Sequence, residues 1–349
     1  MTAVHTVLGP VTPADLGVVL PHEHVFFDLR PRFTAPAGVP GALTDEPVQL
    51  ANLAWVRYHQ RNNRDNLVLD DVGLLASELA EFRAAGGGTV VDLSPQCAGR
   101  DVAKLVKVAQ ATGLNVIAGT GFYVEEFQSA ATKAASVEEL AAVMVAELSE
   151  GIADPAGQPT GVRAGIIGEI GCSWPLADSE RRVLRAAALA QQQTGAAISV
   201  HPGRDEAAPS QIAAILREAG ADLSRVVIGH IDRTFTGHEA VARLGDLGCF
   251  LEFDLFGQES SHIRYGPVDL PTDLDRLRAI ERLVRAGYGA QVLVSHDIAL
   301  KHHLAAFGGH GYAHLLDRVR PRMPEVDLSD SETDRILRAN PARLLARSA

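Results

Sequence analysis

A closed (β/α)₈ barrel is the fold that this 349-residue sequence predicts. Three observations carry the expectation. Short, almost continuously apolar runs recur along the chain, as parallel strands covered on both faces do. Stretches rich in Ala, Leu, Glu and Arg alternate with them, and strand–helix alternation builds a parallel α/β fold. The runs number eight, which closes a barrel rather than leaving an open sheet.

The runs are "GVVLPHEH" (17–24), "TVVDLS" (89–94), "NVIAGTG" (115–121) and "AGIIGEIG" (164–171). They continue with "AAISVHPG" (196–203), "RVVIGHID" (225–232), "CFLEFDLFG" (249–257) and "QVLVSHDI" (291–298). Between them, 71–86, 101–113 and 178–195 read as helices, each opening on an Asp N-cap and closing on a Gly C-cap. A doubly wound sheet would show a Gly-rich phosphate fingerprint after its first strand. "HEHVFFDLR" stands there instead, and the glycines of "AAGGGTVV" precede strand two, as a helix stop and tight turn. Residues 28–70 exceed an ordinary βα connection, and an insertion at that point lies on the catalytic face, where it can cover a site. The last segment, "SDSETDRILRANPARLLARS", reads as a capping helix and terminal turn. One domain over 1–349 is expected, since barrels of this length are common as single units.

Composition narrows the function classes. A net charge of −11 argues against a nucleic-acid or anionic-membrane partner. No apolar run approaches the ~20 residues that span a bilayer. The N-terminus lacks a basic start followed by an apolar region, so no secretory signal is expected. Cys97, Cys172 and Cys249 are odd in number and show no CxxC spacing, which fits reduced structural thiols in the cytoplasm. The 13 histidines are the oddity.

Six candidate metal ligands fall at predicted strand ends. His22 and His24 end the first strand, Glu169 the fourth, His201 the fifth, His230 the sixth and Asp297 the eighth. In a barrel those ends form one mouth. Singly, each histidine fits a hydrogen-bonded core or rim residue better than a ligand, and Asp297 an N-cap; six together point to a shared centre. Four imidazoles and two carboxylates suit Zn²⁺, with Mn²⁺, Co²⁺ and Fe²⁺ as alternatives. Six ligands exceed one tetrahedral ion with an open position, and fit two divalent ions bridged by Glu169. His22, His24 and Asp297 would hold the more buried ion, and His201 and His230 the more exposed one. The expected reaction is hydrolysis by a hydroxide shared between the ions, with Asp297 as ligand and general base. Cys172 reads as a packing residue near the site, and Asp92, at another strand end, equally as polar packing or as a chemical group.

"LPHEH", "AGTGFY", "GEIG", "HPGR", "GHIDRT", "SHD" and "GGHGY" resemble the phosphotriesterase family of the amidohydrolase superfamily. The longer strings "GEIGCSWPLADSERRVL" and "CFLEFDLFG" look like its phosphotriesterase-related branch. The resemblance implies a binuclear zinc hydrolase, usually homodimeric, that cleaves small N-acyl amides, N-acetyltaurine being the branch's attributed substrate. Lactonase or carboxylesterase activity, with weak phosphotriester hydrolysis, is the alternative. Glu169 stands where the organophosphate-degrading members have a carboxylated lysine. "HIDRT", with Arg233 after Asp232, and "EFDLFG", with Leu255 after Asp254, depart from their proton relay. A non-catalytic binding barrel is a further alternative, disfavoured because all six ligand positions are filled. For a small anionic substrate, Arg233, Lys301, Tyr123 and Tyr312 are the expected binding residues, all near the mouth by their place in the chain.

Overall fold

The computed structural model describes residues 2–35, 41–154, 156–235, 237–259 and 269–348. Eight strands form one sheet in sequential order. They are β1 (Val18–Glu23), β2 (Gly87–Asp92), β3 (Asn115–Thr120) and β4 (Ile166–Gly171). β5 (Ile198–His201), β6 (Val226–Ile228), β7 (Phe250–Phe253) and β8 (Val292–Val294) follow. Every pairing within the sheet is parallel. Where β8 comes round to β1, the Asp297 N–H donates to the His22 carbonyl at 3.2 Å, and the His22 N–H to Ser295 Oγ at 3.1 Å. The result is a (β/α)₈ barrel.

A main helix precedes each strand from β2 onward: α1 (Val72–Ala84) leads into β2, and α2 (Val102–Thr112) into β3. α3 (Val137–Ser149), α4 (Asp178–Thr194) and α5 (Ala208–Glu218) precede β4, β5 and β6. α6 (His238–Asp246) and α7 (Asp273–Leu283) precede β7 and β8. Asp71 and Asp101 cap α1 and α2 by accepting the Leu74 and Lys104 N–H groups, each at 3.0 Å. The expected Asp178 cap is corrected: Asp178 is already helical, and Glu180 instead accepts the Ala177 N–H at 3.0 Å. A glutamate one turn in reaches back to the open donors as well as an N-cap reaches forward. Gly113 and Gly195 end α2 and α4 with φ of 67°, a left-handed value that suits glycine.

Two apolar layers sandwich the sheet. Inside lie Val19, Val91, Ile117, Ile166, Ala197, Val227, Phe250 and Leu293, with Leu16, Leu344 and Leu345 closing the bottom. Outside, Leu20, Val90, Ile167, Ile170, Val200 and Leu251 pack under the helices. The terminal turn expected at the C-terminus is a short strand: Arg347–Ser348 pairs with Thr2–Ala3, which also belongs to a hairpin with Gly9–Val11. The insertion after β1 holds short helices at Gly41–Asp45 and Leu53–Tyr58, and its Phe27–Asp28 and Val68–Leu69 pair antiparallel. Residues 36–40 of the insertion lie outside the described residues. Among the described residues, no helix is long and apolar enough to cross a membrane.

Simple alternation would misplace three of the site residues. Val19 faces the interior and Leu20 the helices, so strict alternation sends residues 22 and 24 outward with Leu20. However, Leu20 pairs with Val90 while Glu23 pairs with Asp92, so β1 carries one extra residue. That bulge inverts the pattern, turning His22 and His24 inward and Glu23 outward. In β4, Ile167 pairs with Ile198 and Ile170 with Val200, again one residue extra. Ile167 and Ile170 both pack outside, and Glu169 is turned inward. Gly168 makes this possible: its φ is 145°, and a Cβ there would lie 2.8 Å from the Ser199 carbonyl. Gly168→Ala should therefore cost about 1–3 kcal/mol of stability. A urea unfolding midpoint equal to that of the parent chain would refute this role for the glycine.

Candidate metal centre

The structure brings all six predicted ligands to one mouth. Glu169 is the hub, buried, with His22 Nε2 at 3.2 Å, His201 Nδ1 at 2.9 Å and His230 Nε2 at 3.2 Å from its Oε1. Asp297 Oδ1 lies 3.2 Å from His24 Nε2 and 3.8 Å from His22 Nε2. Among the described residues three sets have donor atoms within 4.8 Å of one another: His22/His230/Asp254, and two at the mouth, His22/His24/Glu169 and Glu169/His201/His230. The two at the mouth share Glu169. His230 and Asp297 reach the mouth from left-handed backbone, with φ of 54° and 50°.

The residues behind the histidines decide which nitrogen faces inward. His22 Nδ1 lies 3.0 Å from both Glu252 Oε2 and Asp254 Oδ2, and His230 Nδ1 lies 2.8 Å from Asp254 Oδ1. Carboxylates only accept, so both Nδ1 atoms carry a proton, and it is Nε2 of each ring that gives up its proton to present a lone pair to the mouth when a cation binds. Ser94 donates its hydroxyl to Asp92 Oδ1 at 2.7 Å, which leaves Oγ to accept from His24 Nδ1 at 3.1 Å. His24 thus also presents a lone pair from Nε2. His22 Nε2 and Glu169 Oε2 are buried without a hydrogen-bond partner. Converging lone pairs on buried, unpartnered atoms fit divalent cations and little else.

Carboxylates and imidazoles set one another here: burial lowers the His22 and His230 imidazoles, but the facing Asp254 carboxylate overcomes it and raises both above the usual histidine range. Burial would raise the Glu169 carboxyl, but the imidazoles of His201, His22 and His230 overcome it and hold the group well below the usual carboxylate range. Burial likewise opposes ionisation of Asp254, and His230 and His22 again prevail, keeping it low. At Asp92 burial prevails over Ser94, the Val25 N–H and His24, and pushes the carboxyl up to about 6.

Sequence reasoning missed Glu252 and Asp254 as supports. Their signal was present in "LEFDLFG": Phe250 faces the interior, so by alternation Glu252 and Asp254 face it too. Asp232 is engaged elsewhere, accepting from Arg276 Nε at 2.7 Å and the Leu255 N–H at 3.1 Å. A carboxylate held by a buried guanidinium is a poor proton relay, in keeping with the departure in "HIDRT".

A cavity of about 70 Å³ opens onto the ligands. Phe27, Leu29, Leu67, Leu255 and Leu300 give it an apolar side, and Arg32, Arg61, Arg204 and Arg233 a cationic one. Leu29, Arg32, Gln60, Arg61 and Leu67 come from the 28–70 insertion, which therefore does cover the site. Of the four expected binding residues, Tyr123 and Arg233 line this cavity. The Tyr123 hydroxyl is 3.3 Å from His201 Nδ1. Arg233 is buried, with Nη2 3.1 Å from His201 Nε2 and donating to the Pro202 carbonyl at 3.3 Å; its Nη1 has no partner. The other two are corrected. Lys301 turns away to pair with Asp65 of the insertion. Tyr312 is fully buried and donates to the His24 carbonyl at 3.0 Å, so it supports a ligand's backbone rather than facing the cavity. Cys172 is buried, and burial with Glu180 and Glu169 nearby pushes its thiol well up, which suits packing and not nucleophilic attack.

Comparison with known proteins agrees over nearly the whole chain. N-acetyltaurine hydrolase of Rattus norvegicus is 43% identical over 344 residues, covering 98% of this chain and 97% of that protein. The protein of the same name from Dictyostelium discoideum is 38% identical, with 98% and 97% covered. Among solved structures, a resiniferatoxin-binding protein from Rhodobacter sphaeroides superimposes with a TM-score of 0.92 at 33% identity, covering 98% of this chain and 94% of that one. The profile of the Phosphotriesterase family matches residues 2–345, and the chain belongs to that family.

Proposed function

We propose that the chain is a binuclear, zinc-dependent amidohydrolase that cleaves a small anionic N-acyl amide of the N-acetyltaurine type. The observation that carries the proposal is the set of inward lone pairs of His22, His24 and His230, fixed by Asp254, Glu252 and Ser94 and gathered around Glu169. Relatives that share about two-fifths of its residues bear the name N-acetyltaurine hydrolase, and they support the choice of substrate.

His22, His24 and Asp297 would hold one ion and His201 and His230 the other, with Glu169 between. Bound there, divalent ions lower the pKa of water and polarise a carbonyl. The chain's own residues do the rest. Asp297, partly open to the cavity and beside His24, accepts the proton released by the attacking water. The apolar wall of Phe27, Leu29 and Leu255 receives a short acyl group and excludes water from it. Arg233 offers its unpartnered Nη1 to the sulfonate or carboxylate at the amine end.

Purified protein should contain two divalent ions per chain and hydrolyse N-acetyltaurine, and His22→Ala or His201→Ala should remove both metal and turnover. Full activity after chelation would end the proposal; preferential turnover of lactones or esters would move it to the alternative substrate class.

Because Glu169 already carries a carboxylate, reloading the metal-free protein should not depend on added bicarbonate. A strong bicarbonate requirement would contradict the Glu169 bridge.

Arg233→Ala should weaken kcat/KM for N-acetyltaurine by about 2–5 kcal/mol while sparing a neutral amide of the same shape. Lys301→Ala, which breaks the pair with Asp65 and the contact with the Phe307 ring, should leave that charge selectivity intact. Equal losses on charged and neutral substrates would assign Arg233 to structure.

A further inference from the structure

Glu23 stands between His22 and His24 and is fully buried. The β1 bulge that turns those histidines inward turns its carboxylate toward the segment after β8. There Oε1 accepts from Ser295 Oγ at 2.8 Å, from the His296 N–H at 2.9 Å and from His296 Nδ1 at 2.8 Å. Oε2 accepts from the Ile298 N–H at 3.0 Å. His296 Nε2 accepts the Leu315 N–H at 3.1 Å, so its Nδ1 carries the proton and donates to Glu23. These donors belong to residues 295, 296 and 298, on both sides of Asp297.

Asp297 has a φ of 50°. A non-glycine residue in left-handed backbone is costly and persists only where its surroundings over-determine it. Here the surroundings are Glu23 on both flanks, the His22 carbonyl, which accepts the Asp297 N–H at 3.2 Å, and Gln258 Nε2, which donates to the His296 carbonyl at 2.9 Å and the Asp297 carbonyl at 3.4 Å. We propose that Glu23 is the positioning residue for Asp297: by gripping both sides of the left-handed turn it holds the Asp297 carboxylate against His24 and His22. One strand end thereby fixes three ligands, two as neighbours in sequence and the third through a side chain. The inference rests on the reading of Asp297 as metal ligand and base.

Glu23→Gln keeps the size of the side chain but replaces one acceptor oxygen with a donor facing donors. In the full-length chain, zinc competition against a chromophoric chelator should show one of two ions bound about 10- to 100-fold more weakly, with the other unchanged. kcat for N-acetyltaurine should fall by a similar factor while KM holds. The double variant Glu23→Gln/Asp297→Asn should bind zinc no more weakly than Asp297→Asn alone, because the glutamate acts through the aspartate. Losses that multiply in the double variant, or that fall equally on both ions, would overturn the proposal. Should Glu23→Gln fail to fold, hydrogen exchange of the metal-free parent decides. His296 and Ile298 amides that open only with global unfolding support the grip, and rapid exchange there refutes it. A parent chain that binds no metal would refute the proposed function instead, and the exchange measurement would still judge Glu23.

Discussion

Negative charge buried at the barrel mouth is the constraint that shapes the upper half of this protein. Asp92, Glu169, Glu252 and Asp254 are all buried within a few side chains of one another, among four imidazoles. Each ionised carboxylate withdrawn from water costs several kcal/mol unless a counter-charge or a full set of donors meets it. Arg276 is spent on Asp232 and Asp273, away from the centre. The histidines, the neighbouring guanidinium groups of Arg233 and Arg32, and the cation that the ligand set fits are what is left to balance the rest. The layered order follows: an inner carboxylate, Glu169, then a ring of imidazoles, then Asp254, Glu252 and the Ser94–Asp92 pair behind them. Each layer orients the one in front of it.

The walls of the cavity divide the labour differently. The metal-facing floor comes from strand ends, whose positions the sheet fixes. The roof comes in part from the 28–70 insertion, anchored by its Phe27–Asp28 and Val68–Leu69 pairing, by Lys301 against Asp65, and by a small cluster of Val48, Leu53 and Val56. Rigid ligands below and a separately packed cover above let substrate preference change without disturbing the centre. The Phosphotriesterase family membership and the arginine-lined side of this cavity fit such a division.

What could be read from the sequence was whatever is local. The eight apolar runs gave the strands to within a few residues, because burial on both faces leaves a compositional mark. Asp71 and Asp101 were readable as caps since a cap acts within four residues. The six residues at strand ends could be gathered because the barrel maps strand ends to one place. Lys301 and Tyr312 could not be placed, since Asp65 and the His24 carbonyl lie far away in sequence. Glu23 hid between two conspicuous histidines, its partners more than 270 positions away. The short strands Gly9–Val11 and Arg347–Ser348 left no mark because two or three residues carry no period.

The paired bulges in β1 and β4 have a consequence for how this family can vary. Each shifts the reading frame of a strand, so that what is interior before it is exterior after it. A single deletion at either place would give smoother pairing and a sheet at least as regular. It would also deliver His22, His24 or Glu169 into the layer of helices and carry Glu23 or Ile170 into the mouth. Length in these two strands is therefore information, as a codon's is. Substitutions can accumulate around the bulges, while the number of residues between Val19 and His24, and between Ile166 and Glu169, has to stay fixed.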